Sequence, residues 1–285
     1  MAAPGVFVGL TTLDLLYAVD ALPRGDEKVV ARRQTIAAGG PAANAAVTYA
    51  ALGGHATLVT RLGDHPLARL ARADLASRAV DVLDVCPAHE GPPPVSSILS
   101  TGSERAVVSV NAGAFDTGPL VDVPEVGDCA VVLADGHHAE LAVPLVSAAR
   151  RRGVPVLLDA GSWKPAAEPL LGLATVVLCS ADFRMPGVEP GEPLLRALLD
   201  RGAEWAGISA GEAPIRWASR GGGGLVPVPA VAVADTLGAG DVLHGALAYG
   251  LAGSAGTRPA RLLAAAAEVA SGSCRTFGTR EWLGG

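Results

Sequence analysis

Residues 234–252 read ADTLGAGDVLHGALAYGLA. A carboxylate, Asp241, stands directly behind the turn Gly238–Ala239–Gly240. The apolar run that follows carries Leu243, Leu247 and Leu251 four residues apart, which predicts a helix over 242–251 with 238–241 as its first turn. The opening turn of a helix leaves N–H groups unpaired and carries partial positive charge, so it suits phosphate oxygens. A carboxylate beside such a place repels an anion unless a hydroxyl lies between them. Asp241 then takes the hydroxyl's proton while the amides stabilise a phosphoryl group in transit. An aspartate at a helix start is also a common stabilising feature, and the turn alone leaves both readings open.

Upstream of that turn, short Val- and Leu-rich runs alternate with helix-like segments. The apolar runs are 6–10, 56–62, 130–134, 155–158, 175–179 and 205–209, and the helical ones 42–52, 66–78, 139–152 and 193–201. Continuous apolar runs suit strands covered on both faces, and the alternation predicts a doubly wound α/β domain. Two regions break it: Val19–Ile36 and Val95–Val110 mix polar and apolar residues and read as strands of a small separate sheet, the second entered through the stiff EGPPPV at 90–95. Pro227–Val233 reads as part of a late strand pair turned by RGGGG at 220–224, which no G-K-[ST] follows and which is therefore not a phosphate loop.

At 285 residues, half hydrophobic and 18% charged, the chain can bury one large core. No apolar stretch approaches the roughly 18 residues a membrane helix needs, and the N-terminus lacks the basic region of a signal peptide. The net charge of −6, with no basic stripe, argues against nucleic acid as a partner, and the short run ARRRG at 149–153 suits a helix C-terminus. Cys86, Cys129, Cys179 and Cys274 are widely spaced, so reduced thiols and a cytoplasmic location are expected. No G-x-G-x-x-G follows the first strand, which argues against a Rossmann dehydrogenase.

DTLGAGD at 235–241 closely resembles the second signature of the ribokinase-like, or PfkB, carbohydrate kinases. AAGGPAANAAVTYAALGGHATLVTRLGDHPL at 37–67 resembles the first. VGLTTLDLL, GISAGEAP and ASGSCRTFGTR resemble the N-terminal strand, the nucleotide loop and the C-terminal helix, in the family's order along nearly the whole chain. The resemblance implies a three-layer α/β/α sandwich with a mostly parallel central sheet, a small β-sheet lid formed near 19–36 and 95–110, ATP and Mg²⁺ as cofactors with a possible K⁺ site, and a homodimer. It implies Asp241 as catalytic base and Gly238, Ala239 and Gly240 as the anion hole. Asp14, Gly39, Gly40 and Asn44 would line the sugar pocket, with Arg105 from the lid. Ser180, Ser209, Gly211 and Thr236 would lie toward the nucleotide, together with Gly238 and Gly240. Each has a plainer alternative: Gly39–Gly40 a turn, Thr236 a cap, Arg105 an exposed strand charge.

The pattern departs from the family at CSADFR, where Ser180 and Phe183 stand in place of the Asn and Glu of an N-x-x-E motif that supports the Mg²⁺–phosphate network, leaving Asp182 as the acidic residue nearby. His137–His138 lack a third ligand at metal spacing. His244 falls near Asp241 on the predicted helix, to tune the aspartate or simply to pack. Lys28, Asn111 and Lys164 would suit a substrate that carries an anionic group. A ketohexose, pentose or modified ketose is the expected acceptor, with a nucleoside or a non-catalytic sugar-binding role as alternatives.

Overall fold

The computed structural model describes residues 3–102, 104–111, 127–253 and 256–284. Ser103, inside the second lid segment, lies outside them. Strands β1 (Pro4–Val8), β4 (His55–Thr60), β5 (Val80–Asp84), β8 (Val131–Ala134), β9 (Val156–Ala160), β10 (Val176–Ser180) and β11 (Trp205–Ala210) run parallel. With the antiparallel β12 (Ala213–Ser219) and β13 (Gly222–Val226) they form one sheet in the order β13-β12-β11-β10-β9-β8-β1-β4-β5.

Both faces of the sheet are covered, which is why the parallel strands read as unbroken apolar runs. Phe7, Leu133, Leu157 and Leu178 point to one core. There they meet helices α1 (Pro41–Ala51), α2 (Pro66–Ser77), α6 (Ala239–Gly253) and α7 (Pro259–Ser273). Their neighbours Val8, Val132, Leu158 and Cys179 point to the other, against α3 (Ala139–Arg151), α4 (Glu168–Leu173) and α5 (Glu192–Asp200). Proline opens α1, α2 and α7 at the first turn, where its missing N–H costs nothing. Strand order reverses at β1, between β4 and β8, so a crevice opens at the C-terminal ends of β1 and β8, the usual ligand position in an open α/β sheet.

A second sheet stands over that crevice. Its order is β3-β2-β6-β7, from β2 (Thr12–Ala18), β3 (Arg33–Gly39), β6 (Val95–Ser100) and β7 (Arg105–Ser109). This corrects the first expected lid segment: only its end, from Arg33, is strand. Residues 19–32 carry Asp20, Pro23, Gly25 and Asp26, turn formers that end a strand. The second segment is the hairpin β6–β7 as expected. The late strand pair is also corrected. It is β12–β13, which takes in Gly222–Gly224 as strand residues, and Pro227–Val233 is irregular, since its two prolines lack the N–H groups a ladder needs. The four cysteines are free. Among the described residues no helix is long and apolar enough to cross a membrane.

Candidate active site

The predicted glycine turn opens α6. Gly238 has φ +72°, and its carbonyl accepts the N–H of Val242 at 2.9 Å. The Ala239 amide is taken by the Thr236 carbonyl at 3.3 Å, while among the described residues no backbone acceptor is paired with the amides of Gly240 and Asp241. A Cβ on Gly238 would press on Thr279 Cγ2 at 2.8 Å, whereas one on Gly240 would meet no atom within 4 Å. The turn therefore presents free amides beside open space.

Asp241 is half-buried in that turn. Asn44, in the first turn of α1, donates from Nδ2 to Asp241 Oδ2 at 2.7 Å. The two residues meet because α6 packs closely on α1: a Cβ on Gly245 would collide with the Ala45 carbonyl and Thr48. Burial, then the charge of Asp159, pushes the Asp241 carboxyl up to about 7, against the opposing pull of Asn44 and His244. A base whose proton affinity sits near neutrality is well matched to taking a proton from a hydroxyl.

The lid supplies the opposite wall. Asp14 lies within β2, with Ser96 beside it on β6, and accepts the Thr12 hydroxyl at 2.6 Å. Burial raises its carboxyl. Gly39 pairs with Thr12, and a Cβ there would strike the Asp14 carboxylate. Gly40, at φ +96°, turns the chain from β3 into α1. The structure thus brings together Asp14, Gly39, Gly40, Asn44 and the 238–241 turn. Arg105 shares the inward register of Asp14 but lies four residues along the exposed edge strand from Ser109, the partner of Ser96. It stands opposite Ser100.

Ser180, the last residue of β10, stands beside Ser209, the last but one of β11. Their hydroxyls donate inward, to the Gly161 carbonyl at 2.7 Å and the Cys179 carbonyl at 3.3 Å. Gly211 follows in an open turn at φ +58°. Thr236 is exposed. Phe183 is buried in the core, so it cannot stand in for the Glu of the motif, while Asp182 is exposed just past the end of β10. Asp235 is tied on both oxygens: Oδ1 accepts from the Leu237 amide at 3.0 Å and the Ser100 hydroxyl at 3.3 Å, and Oδ2 from the Gly278 amide at 3.1 Å.

Three residues escape sequence reasoning. Arg280 is buried and donates to Asn44 Oδ1 at 2.9 Å, to the Ala38 carbonyl at 2.7 Å and to Asp74 Oδ2 at 3.1 Å. Asp135, at the end of β8, accepts the amides of Leu10, Ala42 and His137 and so fixes the crevice at the strand reversal. Asp159, the last residue but one of β9, lies beneath α6 beside His244. Nothing local in the sequence marks their partners, which, apart from His137 beside Asp135, lie tens to hundreds of residues away.

The pfkB family carbohydrate kinase pattern matches residues 5–283. The chain belongs to this family. It is 30% identical to an ATP-dependent ribose-1-phosphate kinase of Halopiger xanaduensis over 54% of its length, a match spanning about half (52%) of that relative. It is 26% identical to mouse ketohexokinase over 94% of both chains. The crystal structure of a candidate ribokinase from Agrobacterium tumefaciens superposes with a TM-score of 0.86 at 26% identity, covering 99% of this chain and 98% of that one. The fold is the ribokinase-like one, with its large mostly parallel sheet and smaller lid sheet.

Proposed function

We propose that this pfkB-family chain transfers the terminal phosphoryl group of ATP to a hydroxyl of a sugar, with Asp241 as general base. The observation that carries the reading is the pairing of a half-buried carboxylate, its proton affinity near neutrality, with two free amides in one glycine turn. The sugar lies between the lid and α1, with hydroxyls on Asp14 and Asn44, which offer an acceptor and an amide. The lid sheet excludes water that would compete as acceptor. The amides of Gly240 and Asp241 face the charge that develops on the phosphoryl oxygens, and Asp241 accepts the proton as the sugar oxygen attacks.

ATP lies along the C-terminal ends of β10 and β11, near Ser180, Ser209 and Gly211, with Thr236 and Arg105 at its margins. Mg²⁺ enters as part of the nucleotide substrate, neutralising its phosphates. In the CSADFR stretch Asp182 is the one carboxylate, and no step is assigned to a protein-held metal. Asp235 already accepts three protein donors, and this reading gives K⁺ no step.

The acceptor we favour is a ketohexose, pentose or modified ketose, in a cytoplasmic homodimer. The outward lid face carries Ile36, 50% exposed, and Val108, 72% exposed, which a second copy would cover. ADP release measured over a panel of sugars and nucleosides tests the reading. Turnover of a sugar supports it, turnover of nucleosides alone replaces the acceptor, and no phosphoryl transfer to any compound overturns it in favour of a binding protein.

A further inference from the structure

His244 sits one helical turn after Gly240, buried between α6 and the sheet. Its Nδ1 lies 2.7 Å from the Gly240 carbonyl oxygen and 3.5 Å from Asp159 Oδ2. Its Nε2 lies 3.1 Å from the carbonyl oxygen of Leu178 in β10. Carbonyl oxygens only accept, so both contacts require a hydrogen on each ring nitrogen. A neutral imidazole has one such hydrogen and an imidazolium has two.

We propose that His244 is a positioning residue for phosphoryl transfer: a buried imidazolium, paired with Asp159, that fastens the Gly240 carbonyl to the sheet and thereby aims the Asp241 amide into the anion hole. The aiming follows from peptide geometry. The Gly240 C=O and the Asp241 N–H belong to one trans peptide plane and point in opposite directions. Holding the oxygen down toward β10 turns the N–H up, out of the helix start.

The same charge acts on the base. Asp241 faces Asp159 on β9 and Asp14 on β2, both of which hold its proton on, and Asn44 on α1 and His244, which favour its ionised form. Asp159 in turn faces Asp135, just past β8, together with Lys164 and His137, and His244 is the foremost influence opposing its burial. Without the imidazolium, neighbouring carboxylates would be left with less counter-charge, and Asp241 would hold its proton to higher pH.

The inference rests on the kinase reading for its kinetic arm, and its spectroscopic arm is independent of any acceptor. In the whole protein labelled with ¹⁵N-histidine, the resonances lost in His244→Gln identify this ring. At pH 7 both of its nitrogens are expected to be protonated. His244→Gln and His244→Leu are expected to lower kcat roughly tenfold to a hundredfold, to leave the sugar KM within about twofold, and to move the acid limb of kcat/KM to higher pH. One unprotonated ring nitrogen at pH 7 overturns the proposal, and so does a wild-type kcat with an unmoved acid limb in either variant. Should the variants fail to fold, the ring resonances of the unaltered protein, assigned by their contacts to Leu178, decide it. Absence of turnover on every acceptor would sink the kinase reading and leave the ring measurement standing.

Discussion

The side-chain amide of Asn44 and the carboxylate of Asp241, 197 residues apart in sequence, meet at 2.7 Å across the α1–α6 contact. The bond occupies Oδ2, and among the described residues no donor is paired with Oδ1, so one carboxylate oxygen is oriented and the other is available to a hydroxyl. Asp241→Asn keeps the shape and removes the proton acceptor. It is expected to cut kcat by about 10²–10⁴-fold while the dissociation constant for the sugar, read by calorimetry, stays within about threefold. A variant that turns over at the wild-type rate would remove Asp241 from the proton transfer.

The raised carboxyl of Asp241 sets a pH dependence with a definite sign. The base works ionised, so kcat/KM should climb with unit slope up to about pH 7 and level off above it. Stability runs the other way. A carboxyl whose proton affinity is higher folded than unfolded adds stability fully below its unfolded value of about 3.9 and loses it as pH rises through about 7. Asp241→Asn should therefore match the wild type in unfolding free energy, read by urea denaturation, near pH 4 and exceed it by roughly 1–3 kcal/mol at pH 8. A stability gap that does not widen with pH would show that the carboxylate is not held against its burial.

Gly238 and Gly240 look alike in the sequence and differ in the structure. Gly238 needs its left-handed backbone and its contact with Thr279, so Gly238→Ala should lower the thermal midpoint, with a cost of about 1–2 kcal/mol from the conformation alone. Gly240 borders open space, and Gly240→Ala should keep or slightly raise the thermal midpoint, since alanine favours a helix. Its methyl group would stand where the phosphoryl group passes, so kcat/KM for ATP should fall at least about tenfold. If Gly240→Ala retains wild-type kinetics, the phosphoryl path runs elsewhere.

These contrasts mark what could be read from the chain. Apolar runs and helical spacing placed six strands of the main sheet and four of its helices to within about two residues, because burial is local, whereas β5, β12 and α4 went unread and the glycines of β13 were taken for a turn. The lid was harder. Its strands are short and half exposed, and residues 19–32, which carry Val29 and Val30 among turn formers, read as strand without pairing. Asp14, Asn44 and Asp241 were legible through the two signatures. The carboxylates beneath them were not, because Asp135 looks like any residue ending a strand until Leu10, Ala42 and His137 are seen to converge on it.

Arg280 follows from that last point. It lies near the C-terminus in a short GTRE stretch, and its function depends on three partners in distant elements. Its Nη1 holds the Asn44 oxygen, which forces the amide nitrogen toward Asp241. Its Nε binds Asp74, and its Nη2 the Ala38 carbonyl beside Gly39. Arg280→Lys keeps the charge opposite Asp74 and loses the fork that reaches three acceptors at once. The variant should fold, and kcat should fall about tenfold as Asn44 loses its fixed orientation. Asn44→Ala removes the group through which Arg280 acts, so in the double variant the lysine substitution should lower kcat little further, a non-additivity expected of residues in one chain of hydrogen bonds. Fully additive losses in that cycle would mean that Arg280 stabilises the C-terminal segment without orienting the site.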